Sequence, residues 1–260
     1  MFSTNHIIWL IICFVLIGAG LYYLIKKRPP LRQVLNIACY ICIASEVIKV
    51  FSVIKMMPSS DGSLMYPYLE LTQLPLHLCS MQILFIFFAR YAKDSRFREN
   101  LLAFMYPTCG VGAAFALFIP IIFGATIDVT QAFTHPLAYQ YFLYHVMLIL
   151  VGMYIPFSGE FELKPRHYLT TIGFLSALAF ISLYFNSMFA TPTYVDGQLV
   201  SVDYATNFYF TYTPPIDIPL TEIGHWYIYF SVIAGMAISI IALFYLPIFI
   251  KYSKANRRNK

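Results

Sequence analysis

Charge is what this sequence has least of. Only 11% of its 260 residues are Asp, Glu, Lys or Arg, whereas 60% are apolar and 18% are Phe, Tyr or Trp. Mean hydropathy is +0.69. A soluble domain of this size carries about 25% charged and about 45–50% apolar residues. A fold of this length could not bury so much apolar surface and still wear a charged coat. The composition therefore excludes a soluble globular enzyme and a disordered or collagen-like chain. Lipid is the solvent for most of the surface.

Basic residues are missing from particular places, and those places orient the chain. A bilayer crossing takes about 20 mainly apolar residues. Seven such stretches occur, at about 7–25, 34–55, 74–90, 101–123, 141–157, 168–189 and 227–250. The connections at 124–140 and 191–226 hold no Lys or Arg, while 15 of the 17 basic residues fall in the alternate connections and the C-terminal tail, Lys251 to Lys260. The other two, Lys49 and Lys55, lie in and at the far end of the second stretch. The positive-inside rule then predicts an outer N-terminus and a cytoplasmic C-terminus, which an odd number of spans matches. The expected fold is an all-α polytopic bundle of about seven transmembrane helices in one integral membrane domain covering residues 1–260. The cell membrane is its expected location. Residues before the first stretch carry no basic side chain, so a cleaved signal peptide is not expected there. The net charge of +5 is accounted for by loops facing an anionic leaflet, and no nucleic-acid partner follows from it.

Cysteine is also scarce. The five, Cys13, Cys39, Cys42, Cys79 and Cys109, all fall within predicted spans. Cys39 and Cys42 form a C-x-x-C, but no second pair accompanies it, so neither a disulfide framework nor a zinc site is expected. No metal or cofactor is implied. Apart from Cys79, each is read as a small buried hydrophobe.

The segment 190–226 is rich in Tyr, Phe, Pro, Thr and Asp. Its aromatic rings suit the headgroup layer, and it could also fold back over the bundle mouth as a lid. Pro214, Pro215 and Pro219 stop a helix there from running into the last span. No internal repeat of the transporter kind is visible.

Ionisable groups inside a span are costly and mark sites. Glu46 and Lys49, three apart, share a helical face. They make either a pair that pins helices together or a proton or headgroup site. The third stretch opens with Leu74-Pro75-Leu76-His77-Leu78-Cys79-Ser80. Pro75 suits a first helical turn, and the nearby helix end favours an anion, the setting that activates a thiol. His77, two residues away, would point to the other side of a regular helix. In the fifth stretch His145 follows Tyr141-Phe142-Leu143-Tyr144. Counting from helix starts at Leu74 and Tyr141, Cys79 and His145 lie roughly 6–8 Å below the outer boundary, and a Cys–His pair is the minimal kit for acyl transfer. Packing or helix–helix hydrogen bonding is the competing account of both. His6, His135 and His225 fall at the outer boundary, each expected as a wetted interface histidine. With His77 and His145 they put five of the six histidines on one side, which favours an outward-facing polar pocket.

The run LPLHLCS at 74–80 resembles the most recognisable motif of the YwaF-like integral membrane proteins, bacterial relatives of the eukaryotic transmembrane protein 164. His6, His145 after YFLY, Thr206-Asn207-Phe208-Tyr209-Phe210, Trp226-Tyr227 and Tyr245-Leu246-Pro247 follow in the family's order. The resemblance implies a fold akin to the androgen-induced-gene-1 proteins and a cysteine-dependent acyltransferase that remodels phospholipids. By position, Cys79 would be its nucleophile and His145 its base. Two departures stand out: the family's Asn-Tyr is Asn207-Phe208 here, and its lysine before a proline is Thr213 before Pro214.

Three functions are thus expected in order. The first is a membrane-embedded thiol acyltransferase or acyl hydrolase acting on phospholipid or another acyl lipid in the outer leaflet. It uses Cys79, His145 and His77, with Glu46, Lys49, Asn207, His225 and Trp226 as substrate-binding residues. The second is a proton-coupled carrier built on Glu46, Lys49 and the outer histidines. The third is a non-catalytic membrane factor.

Overall fold

A computed structural model describes residues 2–93, 95–214 and 219–258, with side chains described through residue 255. Pro215 and Lys260 lie outside the described residues. The chain is an all-α polytopic bundle, with eight α-helices and two small β-hairpins among the described residues. Six helices are long and apolar enough to cross a membrane: α1 (Thr4–Lys27), α2 (Leu31–Val53), α4 (Arg96–Phe118), α6 (Pro136–Tyr154), α7 (Arg166–Met188) and α8 (Ile223–Arg258). Apolar side chains such as Val15, Leu169, Tyr184 and Leu243 are 64–78% exposed on them. Apolar exposure on that scale belongs against hydrocarbon rather than water.

The two remaining helices are shorter. α3 (Leu78–Tyr91) has 14 residues, about 21 Å of rise, and starts four residues later than the sequence predicts. Leu74 precedes a proline, which disfavours helical backbone there, so residues 74–77 form a turn instead. α5 (Ile122–Ala125) is a single irregular turn broken at Phe123 and at Gly124, whose φ of 88° suits glycine.

The chain divides into two compact units, Met1–Leu69 with Met81–Leu163, and Glu70–Ser80 with Lys164–Lys260. In the first, α6 packs against α1, α2 and α4. Trp9 anchors it, stacked at 4.6 Å on Phe142 and at 5.4 Å on Phe133, with its indole N–H donating to Ala132 O at 2.8 Å. Gly152 lets α6 approach α4 at Cys109 and Gly110, the small-residue contact that membrane helices favour. Local sequence sets the ends. Ser3 caps α1, Arg28 ends it in a left-handed conformation, and Pro29-Pro30 cannot continue it. The carboxylate of Glu160, distant in sequence, accepts from the first N–H of α2 (Leu31) at 2.7 Å. In the second unit α7 packs on α8 and on a 3₁₀ turn at Phe208–Phe210.

Both hairpins go beyond what hydropathy predicts. β1 (Lys55–Pro58) pairs antiparallel with β2 (Met65–Tyr68), and β3 (Ala190–Val195) with β4 (Gln198–Tyr204). The second turns at Asp196-Gly197, both at positive φ, the residue pair that a tight two-residue hairpin turn prefers. The first turns at Asp61-Gly62. The Asp61 carboxylate accepts from Ser59 Oγ, Ser63 N and Ser63 Oγ. These bonds, that of Ser59 foremost, lower its pKa to about 2. This value lies below the ordinary ~3.9 of an aspartate, so the turn's gain from the charged carboxylate is complete above about pH 4. It fades as pH falls towards 2. The Ser63 amide resonance should titrate near pH 2 and lose that titration in Asp61→Asn; a midpoint at the ordinary value would show that the turn does not hold the carboxylate.

Candidate functional site

Cys79 is the second residue of α3, and the turn preceding it carries His77. His77 therefore sits outside the helix, and the rule that residues two apart diverge on a helix does not apply to it. The first-turn N–H groups of a helix stand outside its own hydrogen-bond ladder, and the dipole there favours negative charge. Cys79 is half-buried, whereas the other four cysteines, all thiols, are buried. Cys109 is more than a small hydrophobe: its Sγ donates to Gln82 Oε1 at 3.2 Å, and Gln82 Nε2 donates to Thr108 Oγ1 at 3.0 Å.

Within the same unit, residues 206–213 form a folded-back loop beside this turn. The His77 ring meets Phe208 edge to face at 4.9 Å, and Phe208 is fully buried. The Tyr209 phenol lies within electrostatic reach of Cys79; burial first, then the Cys79 sulfur, raise its pKa. Tyr209 and Phe210 both have left-handed backbones, with φ of 59° and 53°. Non-glycine residues rarely hold that conformation unless the surroundings impose it.

Asn186 of α7 ties down the residues on either side of this pair. The side chain is fully buried. Its Nδ2 donates to Phe208 O at 3.1 Å and to Thr211 Oγ1 at 3.0 Å, while its Oδ1 accepts from Phe208 N at 2.9 Å and from Thr206 Oγ1 at 3.0 Å. The backbone fixes which way the amide points, since a carbonyl only accepts and an N–H only donates. Ser182 of α7 meets Thr211 Oγ1 at 3.1 Å. From α8, Trp226 Nε1 donates to Thr211 O at 3.0 Å, and Tyr229 OH donates to Phe210 O.

The structure thus gathers Cys79, His77, Phe208, Tyr209, Asn186 and Trp226 in one unit. Asn207 also belongs to this loop, but its amide is engaged in closing it. Its Nδ2 donates to Thr213 O and Oγ1, both at 2.8 Å, and its Oδ1 accepts from Tyr212 N. Thr213 supplies this closure. His225 is exposed at the start of α8, in contact with Thr221 Oγ1 at 3.2 Å. Asn186 belongs to none of the motifs read from the sequence. The usable signal was an amide inside a predicted span, which is as awkward in lipid as a charge.

His145, Glu46 and Lys49 belong to the first unit. His145 is buried, and its Nδ1 lies 2.6 Å from Tyr141 O. A carbonyl only accepts, so Nδ1 carries the proton and the neutral ring holds its lone pair on Nε2. Tyr141 and Tyr144 pack on the ring at 4.4 and 5.5 Å. α6 starts at Pro136, five residues earlier than predicted, so both starting points used for the depth arithmetic move. Glu46 and Lys49 form a closed ion pair, with Nζ 2.9 Å from Oε1 and 2.7 Å from Oε2. This commits the Lys49 ammonium to its own helix. Of the boundary histidines, His6 is not wetted but fully buried, because Phe2, Phe123 and Phe142 surround its ring. His135 instead caps α6, its Nδ1 accepting from Leu137 N at 3.2 Å. Among the described residues, no group of three or more His, Cys, Asp or Glu side chains could hold a metal ion.

No curated protein and no solved structure matches the chain. The model of the TMEM164 family matches residues 1–245, nearly the whole sequence and all the elements just described up to the last turns of α8. The chain is a membrane protein that belongs to the TMEM164 family.

Proposed function

We propose that this protein is a cysteine-dependent lipid acyltransferase or acyl hydrolase, working at the cell membrane on phospholipid or another acyl lipid of the outer leaflet. The observation that carries this reading is the placement of Cys79 in the first turn of α3, beside a strained loop that Asn186 ties down. Strain of this kind collects at functional sites, and a helix N-terminus stabilises a thiolate.

In the proposed reaction, Cys79 Sγ loses its proton to an imidazole and attacks the ester carbonyl of an acyl chain. The tetrahedral oxyanion is met by first-turn N–H groups or by His77. The ester C–O bond breaks, and the departing lysolipid oxygen takes the proton back. The thioester then passes its acyl group to a lipid hydroxyl or to water, which regenerates the thiol. The base is assigned to His145 by the family resemblance alone; within its own unit the contact with Tyr141 O makes Nε2 the accepting nitrogen of the ring. The closed Glu46–Lys49 pair gives the carrier reading no open charge to move.

A thiol-directed acyl probe should label the wild-type protein and leave Cys79→Ala unlabelled. Lipid profiles of cells carrying Cys79→Ala or His145→Ala should match those of cells without the protein. The effect expected of removing a nucleophile or its base is on the order of 10²-fold or more in turnover. Equal labelling of wild type and Cys79→Ala removes the proposal.

A further inference from the structure

The second hairpin, β3 with β4, has two unlike faces. Successive side chains of a strand point to opposite faces, and cross-strand partners share one. The register pairs Ala190 with Tyr204, Pro192 with Val202 and Tyr194 with Leu199, so this face is wholly apolar and aromatic. The other face pairs Thr191 with Asp203, Thr193 with Ser201 and Val195 with Gln198, and only Val195 there is apolar. The register shifts between Thr193 and Tyr194, whose partners are Ser201 and Leu199, and this leaves Val200 as an extra residue. Plain alternation from Ser201 would turn Leu199 to the polar side. The bulge returns it to the side of Tyr194, and bulges re-aim side chains in this way.

Tyr194, Leu199 and Tyr204 are 53–62% exposed. A two-stranded hairpin alone is marginal in water and needs a layer packed on it. Its root says what that layer is. Only Phe189 separates α7 from β3. On α7, a membrane-spanning helix, Phe180, Tyr184 and Met188 stand four apart on one flank and are exposed. This lipid-facing flank runs to within two residues of the hairpin. At the base, Tyr204 meets Tyr212 edge to face at 4.6 Å, and the Tyr212 hydroxyl donates to Leu183 O at 3.0 Å, which ties the hairpin to the end of α7.

Charge sets the kind of surface. Residues 190–204 contain no Lys or Arg, and their two acids, Asp196 and Asp203, lie at the turn and on the polar face. Anionic lipids are held by basic clusters, so they gain no attraction here. Tyrosine rings, in contrast, favour the headgroup level of a bilayer through their mixed apolar and polar character.

We infer that the apolar face of this hairpin rests on the headgroup layer of a zwitterionic phospholipid surface. Tyr194, Leu199 and Tyr204 reach into the lipid, while Thr193, Ser201 and Asp203 stay in water. Such a resting place requires no reaction at Cys79. The test attaches one nitroxide at a time to the full-length protein, through Tyr194→Cys, Leu199→Cys, Thr193→Cys or Ser201→Cys. All four positions are exposed, and a Cys79→Ala background leaves the other native cysteines buried. In phosphatidylcholine nanodiscs, collisions with oxygen, which concentrates in lipid, are compared with those of a nickel chelate confined to water. The oxygen-to-nickel ratio should be several-fold higher at positions 194 and 199 than at 193 and 201, and added phosphatidylglycerol should not raise it. Equal ratios on both faces overturn the inference, because the hairpin then stands free in water. Shielding of 194 and 199 from both reagents also overturns it, since protein then covers the face; spin–spin broadening at 194 would identify a second copy, and its absence the chain's own bundle. A ratio that rises with phosphatidylglycerol overturns the choice of a zwitterionic surface.

Discussion

Gly152→Leu should abolish the recovery of folded, monodisperse protein, and Gly152→Ala should lower its melting temperature measurably. A Cβ built at Gly152 falls 2.9 Å from Cys109 Cβ, 3.0 Å from Tyr106 O and 3.2 Å from Gly110 N. These are backbone and backbone-proximal atoms, which cannot swing away. Alanine alone pushes α6 from α4, an overpacking cost of about 1–3 kcal/mol, of which helix propensity returns up to about 1 kcal/mol. Leucine adds a branched side chain where no room exists. Two other glycines give controls. Gly20 meets only the flexible end of Leu150, and Gly18 meets nothing within 4 Å. Gly18→Ala should be neutral or stabilising by up to about 1 kcal/mol. Thermal unfolding in detergent, followed by intrinsic fluorescence, measures the whole series. A Gly152→Leu protein that melts like wild type would show that α4 and α6 do not meet at this glycine.

Asn186→Ala should be nearly as severe, and its effect should extend to Cys79. The substitution removes four hydrogen bonds in a fully buried place. It strips the Phe208 N–H of its partner, whereas Phe208 O still accepts from Thr211 Oγ1. With about 1–3 kcal/mol for each group left unsatisfied, the expected loss is about 3–5 kcal/mol, near the top of the range for single substitutions. The left-handed conformations of Tyr209 and Phe210 would then rest on the bonds from α8, Tyr229 OH to Phe210 O and Trp226 Nε1 to Thr211 O, and on the loop's own. A membrane-permeant maleimide should alkylate Cys79 about tenfold faster or slower in this variant than in wild type. Asn186→Asp should behave similarly, because a carboxylate cannot donate to Phe208 O. Unchanged stability together with unchanged alkylation would mean that the amide does not hold the loop.

Much of this architecture was legible in the sequence because lipid imposes simple rules. Apolar length gave the six long helices, and the placement of Lys and Arg gave an expected orientation. Hydropathy was blind to the hairpins: Asp61-Gly62 and Asp196-Gly197 are turn signals of two residues, drowned in windows of about twenty. The late start of α3 was also readable, since Leu74 stands before Pro75. For the site, the LPLHLCS run led to Cys79 and His77. Asn186 carries no charge to mark it in an apolar stretch, although a buried amide obeys the same requirement for partners. Asn207 is expected from the sequence to bind substrate. Its amide is spent on Thr213, a contact between two loop residues that spacing alone does not reveal.

The length of α8 has a consequence for how the protein sits in its bilayer. As a rod of 36 residues it measures about 54 Å, against a hydrocarbon slab of about 30 Å. Even leaning by 40°, the upper end of common tilts, it still covers about 41 Å of height. At least one extremity must therefore protrude beyond the oily layer at any inclination in that range. Both are suited to it: Gly224 and His225 near the beginning are exposed, as are Lys251 and Lys254 towards the finish. Its surplus length lets the wet ends reach beyond both faces of the oily layer while the apolar middle stays within it.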